Sequence, residues 1–108
     1  MKKIKNYISG SEYANSSRYL AVEDPSIGEN VSEVVLSNLN DFNETIKSSQ
    51  NAFESWSRET PLKRSRILFK YKDLIEKNIE NLAKLISAEH GKTIDDAKGS
   101  IIRGLEVV

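Results

Sequence analysis

The chain changes texture about a third of the way along. Up to Leu36 the apolar residues come in short runs with no helical period, bounded by turn-forming residues. "KNYISGSEY" predicts a hairpin, with Tyr7-Ile8 and Tyr13 as its arms and Ser9-Gly10-Ser11 as its turn. "RYLAVEDPSIGENVSEVVL" predicts a strand over Tyr19–Val22, a turn over Asp24–Gly28 and a strand over Val31–Leu36. Pro25 sets φ near the start of that turn, and Gly28 can take the positive φ that closes it.

From Asn40 the spacing becomes helical. Phe42, Ile46, Ser49, Phe53 and Trp56 fall at alternating steps of four and three, so they share one face of a first helix. Asp41 is its expected N-cap, because a carboxylate there can accept from the open N–H groups of the first turn. Thr60-Pro61 opens a second helix, a capping hydroxyl followed by proline at the first helical position. Its stripe is Ile67, Leu68, Tyr71, Leu74 and Ile75. Asn78 can cap a third helix carrying Ile79, Leu82, Ala83, Leu85 and Ile86, although the second and third could equally be one bent rod. A fourth carries Ile94, Ala97, Ile101 and Leu105. Its stripe meets no glycine cap, proline or polar tail before Val108, which predicts a piece of a longer chain. The organisation expected is α/β, with hairpin and strands in residues 1–36 and a helical segment in 40–108.

Bulk properties narrow the chemistry. A length of 108 residues suits one small domain or part of a larger one. Sixteen basic residues balance sixteen acidic ones, which argues against nucleic acid as a partner, since phosphate neutralisation needs a clustered basic excess. There is no cysteine, so these residues hold no disulfide, thiolate metal site or thiol nucleophile. No apolar run approaches the ~20 residues that span a bilayer, and no signal-length run follows Lys2, Lys3 and Lys5. The expected location is the cytoplasm, or an organelle matrix.

The most suggestive stretch is "SAEHGKTIDD", with the single histidine and a Gly91-Lys92-Thr93 triplet. A phosphate-cradling loop needs a further glycine five residues before the Gly-Lys pair, after a buried strand. Ile86 occupies that position, inside a helical stripe. The triplet therefore predicts a helix stop at Gly91 and a new start at Thr93, with Asp95 and Asp96 in the favourable first turn. His90 lacks a second histidine, a cysteine or a usable carboxylate, and suits the carbonyl end of its helix. Phe53, Trp56, Phe69 and Tyr71 are expected to pack, not to stack on a ligand. Lys63, Arg64 and Arg66 are expected on a solvated face, balanced by Glu54, Glu59 and Asp73. No catalytic, cofactor-binding or metal residue is assigned.

Arg103 stands apart. It lies beside Gly99 and Gly104 in a segment otherwise rich in Ile and Val. Glycine inside a helix costs ~1 kcal/mol relative to alanine, so each asks for a reason such as close backbone approach. An arginine projected from such a helix suits a planar grip on a carboxylate or phosphate. A surface arginine with a snorkelling stem is the other reading, and spacing leaves both open.

From "YISGSEY" through "DPSIGE" and "AFESWSRETPLKRSRILFKYKDLIEKNIENLAKLISAEHGKT" to "DDAKGSIIRGLEVV", the chain resembles the N-terminal region of the aldehyde dehydrogenase superfamily. Asp24 replaces the asparagine usual before Pro25, which keeps the turn chemistry. "ISAEHGKT" and "GSIIRGLEVV" are most similar to the methylmalonate-semialdehyde dehydrogenase branch. The resemblance implies part of the N-terminal, Rossmann-like NAD-binding domain, incomplete as a domain. The parent it implies oxidises malonate or methylmalonate semialdehyde with NAD and CoA, and is a homo-oligomer, expected to be a tetramer. In that branch the nucleophilic cysteine, the NAD-holding residues and the oxyanion-hole asparagine lie beyond position 108, so the segment alone is expected to be inactive. An arginine in this helix binds the substrate carboxylate, and Arg103 matches it by motif. The alternatives are a non-acylating NAD(P)-dependent aldehyde dehydrogenase and a short helical interaction module.

Overall fold

A computed structural model describes residues 1–108. The elements run β1 (Lys2–Ile4), β2 (Asn6–Ile8), β3 (Ser11–Tyr13), β4 (Tyr19–Asp24), β5 (Glu29–Val35), α1 (Leu39–Trp56), α2 (Pro61–Lys77), α3 (Ile79–His90) and α4 (Ile94–Val107). The α/β organisation is as expected. The chain divides into two compact units, one of residues 1–23 and 29–58, the other of residues 24–28 and 59–108.

In the first unit β5 lies between β1 and β4. β1 runs parallel to β5, with Lys2 opposite Ser32, Lys3 opposite Glu33 and Ile4 opposite Val34. Sequence pattern misses β1, because an edge strand reading Lys-Lys-Ile lacks the apolar alternation of a buried one. The Lys3 ammonium reaches back over the Tyr19 ring, 4.6 Å from its centroid. β2 and β3 form the expected hairpin, pairing Asn6 with Tyr13 and Ile8 with Ser11. Its turn is only Ser9-Gly10, both at positive φ, which matches the right-handed twist of the strands.

The start of α1 corrects the sequence reading. Asn38, not Asp41, is the N-cap, and its side chain accepts from the Asp41 N–H at 3.0 Å. Asp41 is the third helical residue and returns the bond, accepting from the Asn38 N–H at 2.9 Å. Its carboxylate also accepts from the N–H groups of Asn15 at 2.6 Å and Ser16 at 3.2 Å. One buried acid thus ties the segment between β3 and β4 to the first turn of α1. Ile8 and Val35 supply the buried apolar side chains of this unit.

In the second unit Thr60 caps α2 by accepting from the Lys63 N–H, with Pro61 at the first helical position, as expected. The chain breaks at Asn78 (φ −107°, ψ 12°), so α2 and α3 are separate helices and not one rod. Asn78 does not cap α3 through its side chain. Its amide donates backwards to the Leu74 carbonyl at 2.7 Å and closes α2 instead. α3 and α4 are the most closely packed helices, and each contributes one completely buried alanine, Ala83 and Ala97. Small side chains at a helix contact let the backbones approach. A Lys98–Glu80 ion pair ties α4 to α3.

The other helical stripes are not buried. Phe42, Ile46, Phe53 and Trp56 on α1, and Ile67, Leu68, Tyr71 and Leu74 on α2, are exposed, Phe53 to 66%. The expectation that these aromatics pack is not met within the chain. No helix is long and apolar enough to cross a membrane.

Candidate functional site

The corner between α3 and α4 is built as the sequence predicts. Gly91 ends α3 in the left-handed region at φ 81°, and its N–H donates to the Ser87 carbonyl at 2.8 Å. Thr93 starts α4, its hydroxyl accepting from the Asp96 N–H at 3.2 Å, with Asp95 and Asp96 in the first turn. The space beside Gly91 is already taken, since a Cβ there would meet Pro25 Cγ at 2.9 Å. The triplet is therefore a folded corner and not a phosphate cradle. His90 sits exposed in the last turn of α3, and no group of three potential metal ligands occurs in the chain.

Asp24 and Asp41 carry the resolved carboxylate perturbations, and both are structural. Asp24 is held below the usual range by the Ser26 hydroxyl and N–H, which bond its Oδ1 at 2.6 and 2.9 Å. Asp41 is held low by the backbone N–H groups of Asn15 and then Asn38, against the opposing effect of burial. A carboxylate saturated by backbone donors is a strut, not a general base.

Arg103 lies on the exposed side of α4. Its Nη2 donates to the Ser100 hydroxyl at 3.2 Å, and it takes part in no ion pair. Neither glycine around it shows the close backbone approach expected from the sequence. A Cβ on Gly99 would lie 3.7 Å from Arg103 Nη1, an ordinary contact, and one on Gly104 would meet nothing. Gly99 therefore leaves the ground beside the guanidinium clear.

Sequence spacing misses Lys92. Its carbonyl accepts from the Ser87 hydroxyl at 2.6 Å, which pins its backbone to the end of α3. Its side chain runs along α4 and donates from Nζ to Ser100 Oγ at 3.0 Å. The eight-residue separation is no helical spacing, because Lys92 precedes the helix and reaches along it from the corner. With no cysteine and no nucleophile–base pair, the cluster can hold an anion but cannot by itself break a covalent bond.

A sequence model of the aldehyde dehydrogenase family matches residues 13–108. The chain is 42% identical over 106 residues to malonate-semialdehyde dehydrogenase 2 of Bacillus thuringiensis, covering 97% of this chain and 22% of that protein. It is 37% identical over 108 residues to malonate-semialdehyde dehydrogenase of Pseudomonas aeruginosa, again covering 22% of that protein. Among solved structures, the methylmalonate-semialdehyde dehydrogenase of Oceanimonas doudoroffii superposes with a TM-score of 0.94 at 34% identity, over 98% of this chain and 22% of its own. A Sinorhizobium meliloti protein, solved complexed with NAD and provisionally named for the same activity, gives 0.96 at 37% identity, over 99% of this chain and 22% of its own. The chain thus spans about a fifth of the length of the relatives it matches.

Proposed function

The chain belongs to the aldehyde dehydrogenase family, and from that premise we propose that it is the N-terminal segment of an NAD-dependent, CoA-acylating malonate- or methylmalonate-semialdehyde dehydrogenase. In this proposal the parent converts semialdehyde, CoA and NAD to acyl-CoA, carbon dioxide and NADH. Its N-terminal NAD-binding domain would include these residues, and it would assemble as a homotetramer in the cytoplasm or, in a eukaryote, the mitochondrial matrix.

The observation that carries the proposal is Arg103, a cation on α4 with no carboxylate partner in the chain. Ordinary aldehydes carry no charge, whereas a semialdehyde carries a carboxylate at the end remote from the reacting carbonyl. A guanidinium binds that group through paired N–H donors and fixes the direction in which the aldehyde points. Relatives named for malonate and methylmalonate semialdehyde support this substrate class.

The residues present do not suit the dinucleotide. The triplet is a helix stop followed by an N-cap, and no glycine-rich turn joins a strand to a helix here. No step is therefore assigned to NAD or CoA through these residues. Arg103 binds and orients, and the oxidation is left to other parts of the proposed enzyme.

Translation of the reading frame past codon 108, followed by assay of the complete enzyme, tests the proposal. Continuation to a cysteine-bearing chain whose turnover of malonate semialdehyde needs both NAD and CoA supports it. Turnover independent of CoA would move the parent to the non-acylating aldehyde dehydrogenases. A stop codon at that point would favour a short interaction module.

A further inference from the structure

Ser100 Oγ lies at the junction of two cations. It accepts from Lys92 Nζ at 3.0 Å and from Arg103 Nη2 at 3.2 Å, while its own proton goes to the Asp96 carbonyl at 3.3 Å. A serine hydroxyl has one proton and two lone pairs, so all three are used. An ammonium and a guanidinium thus converge on one oxygen, and neither belongs to any of the three ion pairs of the chain.

Like charges held this close repel, and the repulsion persists unless an anion joins them. Asp96, one turn before Ser100, contributes its carbonyl and not its carboxylate. Glu80 of α3 is already taken by Lys98, and neither Asp95 nor Asp96 of the first turn forms an ion pair with Lys92 or Arg103. The arrangement is held from outside, because the Lys92 carbonyl is fixed by Ser87 and the hydroxyl sits on a helix. Both cations keep further N–H donors uncommitted, and Gly99 places no side chain beside the guanidinium.

We propose that Lys92 and Ser100 complete the carboxylate grip of Arg103. Lys92 supplies a second positive charge to the terminal carboxylate of the semialdehyde, and Ser100 is the positioning residue that holds the two cations in register. The proposal rests on the assignment of Arg103 to the substrate carboxylate. It adds a specificity determinant outside the helix and gives the lysine of the Gly91-Lys92-Thr93 corner a role that phosphate binding does not fill.

The test uses the complete enzyme carrying this segment, with malonate semialdehyde and uncharged propanal as paired substrates. The quantity read is the ratio of their kcat/KM values. Lys92→Met is expected to lower that ratio about tenfold, the usual effect of losing one charge-assisted hydrogen bond, through KM for the charged substrate and not through kcat. Lys92→Arg should restore most of the ratio, which a merely structural lysine would not require. Ser100→Ala should lower it severalfold. If Lys92→Met does not fold, Lys92→Gln removes the charge and keeps a donor, with the same ratio expected to fall. An unchanged ratio in Lys92→Met or Lys92→Gln overturns the proposal. If Arg103→Leu lowers the ratio but the Lys92 variants do not, this inference alone falls. If Arg103→Leu leaves it unchanged, the Arg103 assignment falls and this inference falls with it.

Discussion

Pro25 fills the space that a side chain on Gly91 would occupy, its Cγ standing 2.9 Å from the position of a Cβ there. Glycine is required twice at this point, because the residue also sits at φ 81°. Gly91→Ala is expected to lower the unfolding free energy by at least about 1 kcal/mol from the left-handed backbone alone. The contact should add to that. In a double-mutant cycle, Pro25→Ala in the Gly91→Ala background should recover the contact part and leave the backbone part. Denaturant titration measures both, and strict additivity would remove the contact from the account.

Asp41 makes the first unit sensitive to acid. Its carboxyl is held below the ordinary aspartate value of 3.8, chiefly by the Asn15 N–H and next by that of Asn38. A depressed folded-state pKa stabilises above the unfolded value, and that contribution is lost as pH falls through the folded one. The stabilisation from Asp41 should therefore be complete above 3.8 and decline below it. Asp41→Asn should destabilise at neutral pH and flatten the acid limb of the stability profile. Amide exchange at Asn15, Ser16 and Asn38 should accelerate together in the variant. Protection unchanged at all three would contradict the strut.

The helix caps should separate by position. Thr60→Ala and Thr93→Ala each remove a side chain that accepts from a first-turn N–H, and each should cost about 1 kcal/mol. Asn78→Ala removes only an exposed bond to the Leu74 carbonyl, so its cost should be smaller, about 0.5 kcal/mol. Thermal unfolding of the three variants gives the ranking, and an Asn78 effect larger than either threonine would reverse it.

The isolated 108-residue chain should show no turnover of malonate semialdehyde with NAD and CoA, because it has no thiol to form a thioester. NADH absorbance above the enzyme-free blank would contradict this.

These contrasts show where sequence is informative. Gly91, Thr93, Thr60 and Pro61 act through their own backbone or first-turn neighbours, and local spacing reveals each of them. Asn38, Asp41 and Lys92 act through partners that spacing does not locate. A carboxylate at Asp41 reads as an N-cap until the backbone places Asn38 there, brings Asn15 to Oδ1 and brings Ser16 to the Oδ2 that Asn38 also uses. β1 depends on pairing with a strand some thirty residues away, so its own three residues carry little signal. The apolar faces of α1 and α2 were legible as faces, whereas what covers them is not encoded in their period. Glycine neighbours single out Arg103 in the sequence, but no close backbone approach requires a glycine at either position.

The central claim is that Arg103 recognises the carboxylate of a semialdehyde, and one kinetic comparison tests it most directly. In the complete enzyme carrying this segment, KM for malonate semialdehyde is measured with Arg103 and with Arg103→Leu. Loss of a charge-assisted, two-point contact of about 1.5–3 kcal/mol predicts a rise of roughly ten- to a hundredfold, with kcat much less affected. An unchanged KM would contradict the account.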